Sequence, residues 1–303
     1  MSEAVVATRH AHRGTIFVED ARILSQESFP GQQFVLRLEA PQCAARATAG
    51  SFAHVAVDPS IPMRRPLSIM RVDAQAGWIE LLYKIHGHGL QNLAARRVGE
   101  VVNLLGPIGR GFVPHCDRPQ TLLMGGGVGI PPMVFLAETL RDRAAEGFKP
   151  FAILGSELPF PFRARPSTIV VPGMPAGVIA CMPLLEEWGV GSRLTSKSGF
   201  PGCFDGYVTD LARLWLQQLD AATRAQVEIF SCGPTPMLRA VAALAREFDV
   251  ACQVSLEEYM ACAVGGCAGC TVLVQTPTGP AMKRVCVDGP VFDARTVFVD
   301  NTA

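Results

Sequence analysis

The 303 residues carry 27 Lys and Arg against 27 Asp and Glu, so there is neither a basic field for a phosphate backbone nor an acidic tail, and nucleic acid is excluded as an expected partner. Hydrophobic residues make up 49% and charged residues 18%, with 29 glycines and 23 prolines, a balance that excludes both disorder and a helical bundle and suits two or three domains. Ten cysteines are many for a reducing compartment, where clustered thiols hold metal more often than they form disulfides.

The opening stretch, MSEAVVATRHAHRG, lacks the apolar core of a signal peptide, and no window reaches the roughly 18 uninterrupted apolar residues of a membrane span. A cytoplasmic protein without membrane association is expected. Up to residue 118, QQFVLRLEA, FAHVAV, WIELLYKI and EVVNLLG are short alternating or apolar runs cut by turn residues, which predicts antiparallel strands in a barrel or sandwich. At 121 the rhythm changes. TLLM leads into GGGVG and then a helical stretch with Met133, Leu136, Ala137 and Leu140 on one face, and Pro131 and Pro132 in its first turn.

Strands are then predicted at FAIL (151–154), STIVV (167–171) and VEIFSC (227–232), with a helix near 209–219. Thr235 is placed as the N-cap of a further helix, with Pro236 in its first position and Met237, Val241, Leu244 and Phe248 along one side. Strands alternating with helices imply a parallel sheet. The last fifty residues break that rhythm with ACAVGGCAGC, a strand TVLVQT, a turn at PTGP and RVCVDGPVFDA, a small third module. The expected division is 1–118, 119–250 and 251–303.

Six cysteines, Cys43, Cys116, Cys181, Cys203, Cys232 and Cys252, are scattered singly and read as small buried hydrophobes. The other four are not scattered. Cys262, Cys267 and Cys270 follow C-x4-C-x2-C, the plant-type [2Fe-2S] spacing, and Cys286 stands beyond them as a fourth thiol. Gly265, Gly266 and Gly269 are expected to take positive φ and turn N–H groups toward cluster sulfurs, while Ala261, Ala263 and Ala268 leave room for the inorganic core. Zinc is the rival, because four thiolates also suit a tetrahedral site. Structural zinc, however, usually takes paired C-x2-C knuckles, and only one is present.

GGGVGIPP (125–132) follows an apolar strand and opens a helix, so its bare backbone can approach a pyrophosphate at the helix N-terminus. It lacks G-x-G-x-x-G spacing, and taken alone a turn that merely packs tightly explains it equally well. SCGPTPM (231–237) is a second strand-to-helix turn of the same sheet, and both turns fall at the carboxyl edge, where ligands of open α/β sheets collect. In RRPLSI (64–69), Arg65 could fork onto a phosphate and Ser68 offer its hydroxyl to a ring nitrogen; alone, an exposed arginine on a strand edge would suffice.

In this order, RPLS, YKIHGHGL (83–90), GPIGRGF (106–112), GGGVG and CGPTPM resemble the ferredoxin-NADP reductase superfamily. With SLEEYMACAVGGCAGC and RVCVDGPVFDA added, the chain resembles the electron-transfer subunits of dihydroorotate dehydrogenase B over nearly its whole length. The resemblance implies an N-terminal antiparallel FAD-binding β-barrel, a parallel-sheet NAD(P)-binding α/β domain and a small C-terminal [2Fe-2S] module.

Carried over by similarity, Arg65, Pro66, Leu67 and Ser68 hold the flavin, and Leu82, Tyr83, Lys84, Gly89 and Leu90 line its ribityl and pyrophosphate portion. Gly125, Gly126, Gly127 and Gly129 lie against the nicotinamide dinucleotide, and Cys232, Gly233 and Pro234 beside the nicotinamide. Ser68 and Cys232 then fall near the flavin–nicotinamide reaction centre, and Cys262, Cys267, Cys270 and Cys286 are the cluster ligands. The sequence departs from the family at Leu90, where threonine is usual; His86 or His88 is the candidate replacement, unless both are solvated loop histidines. Ser196 and Lys197 replace acids and suit the 2′-phosphate of NADP rather than the free ribose hydroxyl of NAD, unless Lys197 is simply solvated. The proline-rich segment 158–175 is longer than the family connection.

The implied cofactors are FAD and a [2Fe-2S] cluster, with NAD or NADP as diffusible cosubstrate. No acid, base or nucleophile constellation stands apart from them. A hydride carries two electrons and the cluster takes one, so the flavin divides the pair and a partner protein completes the relay. By resemblance that partner is an FMN-containing dihydroorotate dehydrogenase catalytic subunit of pyrimidine biosynthesis, joined in a hetero-oligomer, a heterotetramer in the family, with the rim around residues 262–270 as docking surface. Two alternatives stand beside this: a flavin and iron–sulfur subunit of a sulfide dehydrogenase, hydrogenase or transhydrogenase complex, and a zinc-holding or redox-sensing nucleotide module without turnover.

Overall fold

The computed structural model describes residues 14–58 and 60–299, and all but the last residue of the stretch read for a signal peptide lies outside them. Six strands, β1 (Phe17–Phe29), β2 (Gln33–Glu39), β3 (Phe52–Val55), β4 (Arg65–Asp73), β5 (Trp78–Lys84) and β6 (Val101–Ile108), close an antiparallel barrel in the order β1-β2-β5-β4-β3-β6. Alternation decides which side of each strand is inside. In β2, Leu36 and Leu38 are buried, while Arg37 between them reaches out to the Glu80 carboxylate at 2.8 Å and lies over the Trp78 ring. Two short helices interrupt the barrel, α1 (Pro41–Arg46) and α2 (Gly87–Ala94). The sequence pattern foretells neither, because each is too short to develop a helical repeat.

After a linker, β7 (Gln120–Gly126) starts a six-stranded sheet that also contains β8 (Lys149–Gly155), β11 (Gly191–Thr195), β12 (Val227–Cys232), β13 (Ala251–Ser255) and β16 (Val291–Asp293). Around it run α3 (Ile130–Asp142), α4 (Pro183–Glu187), α5 (Val208–Gln218), α6 (Ala221–Arg224), α7 (Thr235–Glu247) and α8 (Ala294–Val297); β9 (Arg165–Pro166) and β10 (Ala180–Cys181) form a minor ribbon, and β14 (Thr271–Thr276) and β15 (Gly279–Arg284) a hairpin across the expected turn. The sheet order is β11-β8-β7-β12-β13-β16, parallel except for β16, which runs antiparallel to β13. The chain enters at β7, winds out to β11, then returns to the other side of β7. The winding therefore reverses between β7 and β12, the topological switch point at which open α/β sheets bind ligands.

Two sequence expectations are corrected. STIVV is not a strand: Val170 is 85% exposed, and the backbone N–H groups of Thr168 and Ile169 go to the Glu186 carboxylate (2.6 and 3.3 Å) instead of a ladder. The strand that flanks β8 is β11, whose buried Ser192 and Arg193 hide it from hydrophobic reading; Arg193 is accommodated by the carbonyls of Ser192 (2.7 Å) and Ile169 (2.8 Å). Thr235 is the first residue of α7 rather than its cap, the cap position falls to Pro234, and no side chain caps the helix.

The barrel and the sheet are bolted together by polar contacts. Arg71 of β4 reaches Glu138 of α3 at 2.8 Å, and Gln33 of β2 donates to the Pro159 carbonyl at 2.7 Å, which seats the proline-rich segment on the barrel. The linker is held by the buried Glu228 carboxylate, which accepts from His115 and from Gln253; Gln253 in turn donates to Val113. The last segment is tied in too, since β13 lies beyond residue 250 yet pairs with β12, and β16 returns from the cysteine region to the sheet.

Candidate functional site

The RRPLS arginines separate into two jobs. Arg64 is tied to the barrel, donating to the carbonyls of His54 (3.2 Å) and Asn103 (3.0 Å) and to the Asn103 side chain. Arg65 lies over the first turn of α2, so close that a Cβ on Gly89 would stand 2.8 Å from its Nη2. No side chain caps that turn, and a guanidinium beside its N–H groups is a donor set that fits a diphosphate. Pro66 and Ser68 are half-buried on β4, while Leu67 is buried.

The residues assigned to the ribityl portion differ in kind. Lys84 is exposed. Tyr83 is wholly engaged in the barrel, its hydroxyl donating to Gln26 Oε1 at 3.0 Å and its ring stacked on Phe34, and Leu82 is buried, so what these two offer a cofactor is backbone. Leu90 packs into the core where a hydroxyl is usual, and His86 and His88 are both exposed.

At the switch point GGGVG spans the end of β7 and CGPTP the end of β12. A Cβ on Gly129 would meet the Cys232 carbonyl oxygen at 2.2 Å and Gly233 N at 2.6 Å; one on Gly126 or Gly233 would strike the Met237 sulfur. Tight packing thus accounts for Gly126, Gly129 and Gly233. Gly127 is different: φ is +55° and open space surrounds its absent Cβ, so the backbone there is bare. Gly125 is buried on β7 opposite Cys232, and Pro234 is exposed. Burial, followed by the Glu257 carboxylate, pushes the Cys232 thiol far above its ordinary range, so it is a neutral thiol.

Ser196 is buried, its hydroxyl accepting from Ser198 N at 3.1 Å, and the exposed Lys197 ammonium lies 5.2 Å from the Tyr207 ring centroid. The hydroxyl closes its own turn, and the cation leans on an aromatic face.

The four clustered thiols meet in two pairs. Cys267 N donates to Cys262 Sγ at 3.4 Å and Gly269 N to Cys267 Sγ at 3.4 Å. Burial acts to raise the Cys262 thiol, but N–H groups of Cys267, Val264 and Gly266 outweigh it and hold the group at about 7. Cys286 sits in hydrogen-bond contact with Cys270; burial and that neighbour push it up to about 12. Of the three glycines expected at positive φ only Gly265 has it (+78°); Ala263 (+56°) and Ala268 (+54°) take the other left-handed positions. Alanine, the smallest side chain that suffers there, is tolerated because the loop is otherwise over-determined.

Arg284, which the sequence reading passed over, supplies part of that constraint. Its Nη1 donates to the Gly265 carbonyl (3.1 Å), its Nε to Asp288 (3.3 Å), and the next residue's N–H reaches Cys270 O (2.9 Å), so the loop is strapped to the segment carrying Cys286. Its position two residues before Cys286 was the available signal. Among the described residues no three His, Cys, Asp or Glu side chains converge on a point suited to a single ion. Two thiol pairs, one for each iron, fit a [2Fe-2S] cluster better than a tetrahedral zinc.

A closed barrel with an arginine over a helix start, joined to a doubly wound sheet with two glycine-containing turns at its switch point, defines a ferredoxin-reductase-type fold with an appended cysteine module. The fold agrees with that of an NADH-dependent reduced ferredoxin-NADP oxidoreductase (TM-score 0.72, 24% identity, 92% of this chain and 90% of that one) and of phthalate dioxygenase reductase (0.52, 18%, 89% and 76%). Residues 257–298 match the family model for the iron-sulfur cluster binding domain of dihydroorotate dehydrogenase B. The chain is 32% identical over 281 residues, 91% of its length and 96% of the relative's, to the dihydroorotate dehydrogenase B (NAD(+)) electron transfer subunit of Shouchella clausii, and 35% identical over 248 residues (80% and 84%) to that of Bacillus cereus. It belongs to the family of dihydroorotate dehydrogenase B electron transfer subunits.

Proposed function

We propose that this chain carries electrons between an FMN-containing dihydroorotate dehydrogenase catalytic subunit and NAD+, within a cytoplasmic hetero-oligomer built as a heterotetramer. The observation that carries this reading is the meeting of Cys262 with Cys267 and of Cys270 with Cys286, in a module joined at both ends to a nucleotide-type sheet. No described helix is long and apolar enough to cross a membrane. Of the three units, 1–118 for FAD, 119–250 for the nucleotide and 251–303 for the cluster, the second and third share β13 and β16 as their seam.

When bound, FAD accepts a hydride's electron pair and releases it singly, and the cluster takes single electrons. The protein's part is to bind and orient. Arg65 and the first turn of α2 would hold the diphosphate, and on the outer face of β4 Ser68 would offer its hydroxyl and Pro66 its half-buried ring. Gly127 lets the dinucleotide approach the backbone, while the fully buried Cys232 thiol is a neutral part of the core behind the CGP turn. The four cysteines hold the cluster at a surface where Tyr259 (92% exposed), Val264 and Leu273 await a partner. With Ser196 and Lys197 engaged by their neighbours, NAD(H) is the expected cosubstrate over NADP(H).

Anaerobic purification with the partner tests the whole. Expected are flavin absorption, an iron–sulfur signal on reduction, faster flavin bleaching by NADH than by NADPH, and co-purification with a dihydroorotate-oxidising subunit. A colourless zinc protein, or a different redox partner, overturns it. Cys267→Ser should abolish transfer to the partner while leaving flavin bleaching by NADH intact; survival of both activities removes the cluster from the path.

A further inference from the structure

Strand β3 is buried along its whole length, although a barrel strand need bury only its inner side. Across the β3–β4 ladder, Ala53 and Val55 stand opposite Leu67 and Arg65, and Phe52 and His54 opposite Ser68 and Pro66. Directly paired residues of antiparallel strands share a face, so His54 lies on the outer face that carries the Ser68 hydroxyl. Something must cover that face. Phe52 belongs to an apolar cluster that includes Met260, Cys270 and Cys286, and His54 lies against the Met260 backbone, so the segment leading into the cysteine loop forms part of the cover.

His54 is 0% exposed, and neither of its ring nitrogens has a hydrogen-bond partner among the described residues. The imidazole lies against the backbones of Met260 and Arg64 without closing a bond to either, and faces the guanidinium charges of Arg64 and Arg65. Burial first, and then the Arg64 charge, holds it near 4, so at neutral pH it has one N–H to give and one lone pair to receive. A buried imidazole with both nitrogens idle is costly, and a small approach of the Met260 backbone would satisfy one of them. On one side is the strand that bears Arg65 and Ser68; on the other is the polypeptide two residues before Cys262.

We propose that His54 is a positioning residue for electron transfer, its imidazole bridging the flavin-bearing face of the barrel to the Met260 backbone and so fixing the cluster loop against that face. This rests on the function proposed above. In the FAD- and iron-loaded protein, stopped-flow absorbance separates flavin bleaching by NADH from cluster reduction, and amide exchange reports the order of residues 257–262. In His54→Leu, which keeps bulk but no polar atom, we expect cluster reduction slowed about tenfold, flavin bleaching within about twofold of the unsubstituted protein, and faster exchange at 257–262. His54→Gln, which offers a donor and an acceptor again, should restore both readouts.

Unchanged cluster reduction and exchange in His54→Leu overturn the proposal, as does slowing that His54→Gln fails to restore. Should His54→Leu not load, His54→Gln is read alone: rates and exchange matching the unsubstituted protein support the bridge, and slowing of both steps alike refutes it. Absence of flavin bleaching or of an iron signal in the unsubstituted protein defeats the proposed function instead.

Discussion

Gly89 shows how much a single hydrogen atom decides. Alanine there would place a methyl 2.8 Å from Arg65 Nη2, but that contact is with the far end of a flexible side chain, so the guanidinium yields and the backbone does not. Helix α2 itself would gain from alanine. Gly89→Ala should therefore weaken FAD binding about tenfold, the worth of roughly one charge-assisted hydrogen bond, with an unchanged or slightly raised unfolding temperature. Flavin titration beside thermal unfolding checks it, and unaltered FAD affinity would mean Arg65 does not hold the diphosphate. At this scale the meeting of Cys262 with Cys267 and of Cys270 with Cys286 was legible because thiol spacing is chemistry written directly in sequence. The division of labour between Arg64 and Arg65 was not, since it depends on Asn103, far along the chain. Nor were the left-handed alanines, because a loop's φ angles are imposed by contacts such as Arg284 to Gly265.

Among elements, the exchange of STIVV for GSRLT shows where pattern reading ends. A β-branched run resembles a strand wherever it lies, but a sheet position needs ladder partners, and the Glu186 carboxylate had already taken the relevant N–H groups. Burial tends to raise Glu186, yet hydrogen bonds from the Thr168 backbone and hydroxyl, Ser167 and Cys181 prevail and hold it at about 2. A depressed carboxyl contributes stability that is complete above its ordinary value near 4.5 and lost as pH falls toward 2. Protection of the amides of residues 168–169, measured relative to the unstructured exchange rate at each pH, should thus fall between about pH 4.5 and 2, and Glu186→Gln should remove most of that dependence by being weakly protected throughout. A flat profile in the unsubstituted protein would show that the carboxylate is not the anchor. The barrel strands and the βα units at GGGVG and CGPTP, by contrast, were legible, since local alternation and turn chemistry agree there with the tertiary fold.

For the molecule as a whole, the architecture was legible in outline and its joints were not. Composition and rhythm distinguish the barrel from the doubly wound sheet, but Arg71 to Glu138, Gln33 to Pro159 and the Glu228 hub join residues that no local window contains. The same holds for β16, three residues too short to announce themselves as a strand. Their pairing with β13 has a consequence for solubility. Without them, Ala251–Ser255 would present a free row of amide and carbonyl groups at the rim of the sheet, a template for strand exchange between copies. Shortening the chain to end before Val291 should accordingly yield protein that self-associates, seen as rising light scattering with concentration, whereas Cys286→Ser in the full-length chain should not. The iron-binding excursion is then also a hem, stitched down so that the fabric does not fray into its neighbours.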